Sequence, residues 1–223
     1  MFDFLSLETI QIIWLTLRMT LLSTAISTTI GVPFGLWLDR VNFTGKQLIV
    51  LFNRSLMAAP PVVVGLTAYL LLMRDGPLGF ISRLFTFEGM VFAQVLLLTP
   101  IISGIVYNAA HRSALNIRAF AKTMGASNRQ TRILLIRELS NDIYFAAVTG
   151  FGRAMSEVGA VMIVGGNIRH HTRVMTTTIS MLRNRGDINV AIFMGIVLLL
   201  VAFAVQIIAG FLRKRERRAD ENF

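Results

Sequence analysis

Four long stretches of the chain contain no charged side chain, and they constrain the fold more than any other feature of the sequence. They are residues 19–38, 55–73, 89–110 and 188–212. A helix needs about 20 predominantly apolar residues to cross the hydrocarbon core of a bilayer, and each stretch is close to that length. A fifth stretch, residues 143–166, is interrupted by the charges of Arg153 and Glu157. We therefore predict a single all-α integral membrane domain over residues 1–223, with spans at about 10–38, 50–73, 87–110, 141–166 and 188–212.

The composition agrees with a membrane protein and excludes other classes. Hydrophobic residues make up 54% of the chain and charged residues 15%, against about a quarter charged in soluble domains. The absence of cysteine excludes disulfide bonds. A formal charge of +10 would indicate nucleic-acid binding in a soluble chain. Here the basic residues flank the apolar runs, which favours the lipid membrane as a partner and argues against nucleic acid.

Nucleotide and metal sites are not expected on this chain. The one Gly-Lys pair is Gly45-Lys46, and Arg40 stands where a P-loop has its first glycine. His170 and His171 are adjacent and would not share a helix face, so we predict no metal site. The first residues of the chain lack a basic segment, so a cleaved signal peptide is not expected.

The distribution of lysine and arginine predicts the orientation in the membrane. With five spans, residues 111–140, the tail after residue 212 and the short turn with Arg40 and Lys46 all face the same side. These segments hold most of the basic residues of the chain, and cytoplasmic segments are enriched in lysine and arginine. We expect this side to be cytoplasmic, with the C-terminus there and the N-terminus outside.

The polar segment 111–140 is patterned like a structural element. Gly125 is predicted to be the C′ residue that ends one short helix. Ser127 is predicted to be the N-cap of the next helix, with Gln130 completing a capping box. An amphipathic segment lying on anionic lipid is the alternative. The small pair Gly125-Ala126 favours insertion into a cleft of a partner protein. The predicted contact residues are Ala119, Phe120, Ala121, Lys122, Met124, Gly125, Ala126 and Ser127.

Two apolar stretches carry residues that disturb a spanning helix. Pro60 and Pro61 remove backbone hydrogen bonds and predict a kink inside the second span. The kink serves either helix packing or a pore-lining bend, because freed carbonyls must face protein or water. Arg153 and Glu157, four residues apart, are predicted to lie on one helix face. They form either an ion pair within the helix or part of the lining of a transport path.

The segment after the fourth span has a one-sided charge. Residues 158–186 contain no aspartate or glutamate, while Arg169, His170 and Arg173 lie close together. Such a group attracts anions by raising their local concentration. Attraction to lipid headgroups or to an acidic partner surface is the alternative.

Three motifs resemble those of ABC importer permeases. Residues 121–126 are similar to the coupling motif Glu-Ala-Ala-x-x-x-Gly, although Ala119 stands in place of the leading glutamate and the later proline is absent. Residues 60–65 read Pro-Pro-Val-Val-Val-Gly, and residues 76–79 read Gly-Pro-Leu-Gly, as in molybdate and tungstate permeases. Residues 153–160 and 165–168 resemble the same family's Arg-Ala-x-x-Glu-x-Gly-Ala and Gly-Asn-Ile motifs, with Ser156 where the family usually has glycine.

The resemblance implies a type I ABC importer permease, a transport subunit rather than an enzyme. Residues 181–188 look closer to the tungstate branch than to the molybdate branch, so the resemblance implies import of an oxyanion, with tungstate as the expected substrate and molybdate or another tetrahedral oxyanion as the alternative. The family implies a homodimer in the prokaryotic plasma membrane, an ABC subunit that binds ATP and magnesium and docks on the coupling helix, and an extracytoplasmic oxyanion-binding protein. It also implies a translocation path that contains Pro60, Pro61, Val62, Gly65, Arg153, Ser156, Glu157, Gly159 and Asn167. The alternatives are a carrier driven by an ion gradient, with Arg153 and Glu157 as a relay, and a membrane scaffold.

Overall fold

A computed structural model describes residues 7–220 of the chain, and the side chains of Leu212 and of residues 214–220 are not described. The start of the chain, where no signal peptide is expected, and the basic side chains of the tail beyond Arg213 lie outside the described part. Residues 7–220 contain helices and no strand, which confirms the all-α prediction. The elements are α1 (Leu7–Arg40), α2 (Lys46–Met57), α3 (Pro61–Leu72), a 3-10 helix (Gly79–Ile81), α4 (Phe87–Thr123), α5 (Asn128–Glu138), α6 (Ser140–Met155), α7 (Gly159–Gly165), α8 (Met175–Asn184) and α9 (Ile188–Asp220).

Within this part of the chain, three helices are long and apolar enough to cross a membrane alone, namely α1, α4 and α9. Two further spans are broken: α2 and α3 meet at 104°, and α6 and α7 meet at 60°. Five spans result when each bent pair counts as one. The predicted spans 50–73 and 141–166 therefore correspond to pairs of helices rather than to single ones.

The break between α2 and α3 is sharper than the predicted kink. Pro60 has an extended backbone, with φ −61° and ψ 130°, and Pro61 is the first residue of α3. The residue before a proline avoids the helical region, and a proline fits well at the first position of a helix. The two prolines therefore end one helix and begin another, so the prediction of one kinked helix is wrong.

Helix α4 is longer than the predicted third span. It continues without interruption through the polar residues 111–123, where a separate short helix was expected. No glycine or proline occurs between residues 105 and 124, so nothing in the backbone ends the helix once it leaves the apolar run. At about 1.5 Å per residue, its 37 residues extend about 55 Å.

Small residues let α1 pack closely against α4. Ser23, Ser27, Gly31 and Gly35 follow one another at spacings of four residues on α1, and all are buried. A Cβ atom added at Gly35 would lie 2.6 Å from the carbonyl oxygen of Ser103 on α4. Stripes of small residues at this spacing bring membrane helices into backbone contact, so α1 and α4 form the central pair of the fold.

Candidate translocation path and coupling surface

The two broken spans meet at their breaks. A Cβ atom added at Gly65 of α3 would lie 2.5 Å from the Cα atom of Ala160 of α7. One added at Gly159 would lie 2.9 Å from Cγ2 of Val62. The backbones of α3 and α7 therefore touch, and the structure brings the predicted path residues Val62, Gly65 and Gly159 together. Gly65 is buried within this contact, and Val62 is exposed beside it.

Arg153 and Glu157 form an ion pair across the second break. Helix α6 ends at Met155. The prediction that Arg153 and Glu157 lie on one face of a single helix is therefore wrong. Arg153 NH2 still lies 3.7 Å from Glu157 Oε2, and the side chains are 36% and 1% exposed, respectively. A buried carboxylate is energetically costly without partners. The structural role of Glu157 therefore follows from the hydrogen bonds that it forms.

Glu157 stabilises the start of α7. Its Oε1 atom accepts a hydrogen bond of 2.9 Å from the backbone N–H of Ala160, which caps the first turn of the helix. The hydroxyl of Thr176 on α8 donates to the Glu157 carbonyl oxygen at 2.8 Å. In this conformation Glu157 is a buried cap that joins α7 and α8, and Arg153 presents the exposed charge of the pair.

The remaining predicted path residues lie around this centre. Pro60 and Ser156 are exposed at the two breaks, and Pro61 is half-buried. Asn167 follows α7 with a positive φ of 51°, and its side-chain oxygen is buried without a hydrogen-bond partner. These residues are placed by the breaks, and their role in transport stays a prediction.

The predicted anion-attracting group is engaged by a residue from the start of α1. Arg169 donates two hydrogen bonds to the carboxylate of Glu8, Nε to Oε1 at 2.9 Å and NH2 to Oε2 at 2.5 Å. Arg173 lies 3.4 Å from Glu8 Oε1, and His170 Nδ1 lies 3.2 Å from Gln11 Oε1. The hydrogen bond to Glu8, and then its charge, raise the pKa of the Arg169 guanidinium above its ordinary value.

Glu8 therefore halves the positive charge of the arginine pair. Residues 158–186 contain no acidic residue, as the sequence indicates, but the fold supplies one from 161 positions away. Glu8, Gln11, His170 and Arg173 also line a pocket of about 310 Å³. The group keeps a net positive charge, because one carboxylate faces two guanidinium groups.

The predicted turn after α4 has the expected hydrogen bonds. Gly125 has a φ of +70°. Its N–H donates to Lys122 O at 3.0 Å, and the N–H of Ala126 donates to Ala121 O at 2.9 Å, which is the Schellman motif. Ser127 and Gln130 form both hydrogen bonds of a capping box at the start of α5. The predictions for Gly125 and Ser127 are confirmed, although the helix that Gly125 ends is the long α4.

The turn presents an apolar surface beside basic residues. Phe120 and Met124, one helical turn apart, are 60% and 71% exposed. Ala119, Lys122, Gly125 and Ser127 are exposed and Ala126 is half-buried, so these residues are available to a partner. Ala121 is buried, and it contributes the carbonyl oxygen of the turn rather than a contact surface.

Asp39, which the sequence did not single out, anchors the turn to α1. Its Oδ2 atom accepts a hydrogen bond of 2.7 Å from Arg118 NH2, and its Oδ1 lies 3.5 Å from His111 Nδ1. Lys46 donates to the Asp39 carbonyl oxygen at 3.1 Å. The end of α1 is thereby tied to the polar extension of α4 and to the start of α2.

Two buried amides connect the spans. Gln94 accepts from Ser23 at 2.6 Å and donates to Ala154 O at 3.1 Å, which joins α1, α4 and α6. Asn53 likewise joins α2 to α4 through Ser103, at 3.0 Å. Gln94 is an isolated amide in an apolar stretch, and that isolation is the signal by which the sequence could have revealed it. Asn53 directly precedes Arg54 in the sequence and carries no such signal. No group of three or more potential metal ligands occurs among residues 7–220.

Comparison with known proteins places the chain in a family. The family described as "Binding-protein-dependent transport system inner membrane component" matches residues 31–218. The chain is 44% identical over 194 residues to the tungstate uptake system permease protein TupB of Peptoclostridium acidaminophilum. The aligned region covers 87% of this chain and 85% of that protein. The chain is also 33% identical over 211 residues to a probable anion ABC transporter permease protein of Haloferax volcanii, covering 92% and 91% of the two chains.

A molybdenum permease is also similar, at lower identity. The chain is 28% identical over 183 residues to the molybdenum transport system permease protein ModB of Azotobacter vinelandii, covering 78% of this chain and 81% of that one. The family match spans most of the chain. The relatives of the chain are named as permease proteins, which are transport components rather than enzymes. The chain therefore belongs to the binding-protein-dependent transport system inner membrane components and is a multi-pass permease of an ABC importer.

Proposed function

We propose that this chain is the transmembrane subunit of an ATP-driven tungstate importer. The observation that carries the proposal is its similarity, over most of both chains, to a permease named for tungstate uptake. Molybdate is the second candidate substrate, because it is a tetrahedral oxyanion of the same charge and a molybdenum permease is a more distant relative. Two guanidinium groups near the Glu8 carboxylate suit delivery of either dianion.

ATP is expected to bind to a separate subunit together with magnesium. This chain has no P-loop sequence, and the turn at Gly125 offers a surface on which such a subunit would dock. Phe120 and Met124 would enter an apolar cleft of that subunit. Exposed apolar side chains on a polar segment mark a protein contact, which supports this location.

A second copy of the chain and an outer binding protein complete the proposed importer. Helix α3 has four exposed apolar residues, namely Val62, Val63, Leu66 and Leu70. This surface suits a pore formed between two copies of the chain. The binding protein would deliver the anion at the end of the molecule that carries Glu8 and Arg169. The distribution of lysine and arginine supports a cytoplasmic position for α5 and the C-terminus, with the N-terminus outside the plasma membrane.

The proposed mechanism is alternating access driven through α4. Closure of two ATP-binding subunits would draw the two Gly125 turns together. Because α4 is continuous from Phe87 to Thr123, that movement would reach the breaks against which α4 packs. The partner subunit can shift the equilibrium between inward-open and outward-open states only by the difference in its binding free energy for the two states. That difference must come from its contacts at the turn.

Uptake in proteoliposomes tests this function. The chain is co-purified with its ATP-binding subunit, reconstituted, and given the binding protein loaded with tungstate outside. ATP inside is expected to drive tungstate accumulation, measured by elemental mass spectrometry, and a P-loop lysine variant of the ATP-binding subunit serves as the control. Uptake driven by an imposed proton or sodium gradient without ATP would favour the secondary carrier. Preferential accumulation of molybdate from equimolar mixtures would assign the second substrate.

A further inference from the structure

A groove lies beside the Gly125 turn, between the end of α1 and helix α5. Its volume is about 400 Å³. Pro33, Leu36 and Trp37 provide an apolar wall from α1, and Leu135 and Ile136 provide one from α5. The lining also contains four basic residues and no acidic residue: Arg40, Arg118, Lys122 and Arg132.

Three of the four cations have no acidic partner within the described part of the chain. Arg118 is occupied by its hydrogen bond to Asp39. Arg40, Lys122 and Arg132 are exposed and form no ion pair with any residue that the structure describes. Three unpaired cations around one apolar groove favour a ligand that combines negative charge with hydrocarbon.

The position of the groove in the bilayer follows from the two tryptophans of the chain. Trp14 and Trp37 both lie on α1, and they are 61% and 47% exposed. They lie 23 positions apart in the sequence, which corresponds to about 35 Å of helix, close to the roughly 30 Å of a hydrocarbon core. Tryptophan prefers the headgroup region, so Trp37 places the groove at headgroup level.

An apolar stripe leads from the groove into the hydrocarbon. Leu22, Ile26 and Ile30 are exposed on α1, and with Pro33 and Trp37 they follow spacings of three and four residues. Residues at these spacings lie on one helix face. An acyl chain would run along this stripe while its phosphate lies in the groove.

We propose that this groove binds an anionic phospholipid. Arg40, Lys122 and Arg132 contact the headgroup phosphate, and the stripe on α1 accommodates an acyl chain. Basic pockets between membrane helices recognise anionic headgroups in this way. The bound lipid bridges α1 and α5 next to the Gly125 turn. The inference does not depend on which anion the protein transports.

Quenching of tryptophan fluorescence by brominated lipids tests the proposal on the full-length chain. The variant Trp14→Phe leaves Trp37 as the single reporter beside the groove, and Trp37→Phe leaves Trp14 as a reference at the opposite end. Each is reconstituted in phosphatidylcholine, and brominated phosphatidylglycerol or brominated phosphatidylcholine is titrated in. Each unpaired cation is expected to contribute about fivefold to the preference for the anionic lipid. Trp37 should therefore report a clear preference, and Trp14 a smaller one.

Two double variants decide whether the groove is responsible. Arg40→Gln with Arg132→Gln should lower the preference at Trp37 by about 25-fold, since two of the three cations are lost. Arg112→Gln with Arg129→Gln removes two exposed cations outside the groove and should leave the preference unchanged. All four residues are exposed, so size-exclusion profiles should match the parent.

Three results would overturn the proposal. Equal quenching of Trp37 by the two lipids would show that no anionic lipid is selected. A preference that survives Arg40→Gln with Arg132→Gln, or falls equally in the control pair, would assign it to the general surface charge. Reversal of the quenching by millimolar inorganic phosphate at constant ionic strength would assign the groove to a soluble anion.

Discussion

Replacing Gly65 by alanine perturbs the contact between the two broken spans with a single methyl group. The added Cβ would lie 2.5 Å from Ala160 Cα and 3.1 Å from Ala160 Cβ. One neighbour is a backbone atom and the other is a Cβ atom. Neither moves when a side chain changes its rotamer, so no rotamer change can relieve the clash. Helix α3 must instead move away from α7.

The size of this movement follows from the distance. Ordinary contacts of a Cβ atom begin at 3.4 Å, so the helices must separate by about 0.9 Å at this point. Inserting a methyl group into such a contact costs about 1–3 kcal/mol. If one transport state contains the contact and the other does not, a difference of this size shifts their populations by about 5- to 150-fold. Gly65→Ala is therefore expected to reduce ATP-driven uptake strongly and to lower the unfolding temperature.

The matched controls are alanine substitutions at glycines with free space. At Gly195 nothing lies within 4 Å of an added Cβ, and at Gly152 the nearest atom is the flexible Gln206 Nε2 at 3.6 Å. Alanine in a helix is favoured over glycine by about 0.5–1 kcal/mol, so these variants should melt at or above the wild-type temperature. Uptake in proteoliposomes and thermal unfolding in detergent are measured for all three. Wild-type uptake and stability in Gly65→Ala would refute the contact between α3 and α7.

Three further perturbations address the turn, its anchor and the opposite end. Gly125→Val is expected to reduce ATPase stimulation more than Gly125→Asn, because asparagine adopts a positive φ far more readily than valine; equal effects would mean that the backbone conformation is unimportant. Asp39→Asn weakens charge-assisted hydrogen bonds and should cost about 1.5–3 kcal/mol of stability, measured by thermal unfolding against the exposed control Asp75→Asn; equal melting of the two would contradict the anchor. Glu8→Gln removes a carboxylate from the arginine pair and should speed anion delivery more at low salt than at high salt. Glu88→Gln, at an exposed carboxylate elsewhere on the chain, is its control, and the same salt dependence in both variants would reject a role for this group in steering.

Local chemistry made some elements predictable from the sequence. Three of the four charge-free runs correspond to α1, α4 and α9, because a spanning helix satisfies its backbone hydrogen bonds internally and needs only length and hydrophobicity. The Gly125 turn and the Ser127 capping box were predictable because each is formed by residues within five positions of one another. The family motifs identified Pro60 and Glu157 as positions of interest without revealing their surroundings.

Features that depend on distant residues were not predictable in the same way. The 104° angle after Pro60 depends on what α3 packs against, which the prolines do not specify. Glu8 reaches Arg169, and Asp39 reaches Arg118, only after the spans have assembled. The length of α4 was missed because the change from apolar to polar residues marks the edge of the membrane, while the helix itself ends only at Gly125.

The contacts of α4 determine where a movement at the turn can be taken up. Asp39 joins its polar extension to α1, and the close approach at Gly35 joins the two helices again in the membrane. If the Gly125 turn moves during transport, as proposed above, α1 and α4 would move together, since each is one continuous helix. The described elements that pack on this pair through a bend are α2–α3 and α6–α7, so we expect their angles of 104° and 60° to change in that movement. Both bends adjoin the contact of Gly65 with Ala160, which is why one methyl group there is expected to affect transport more than stability alone would explain.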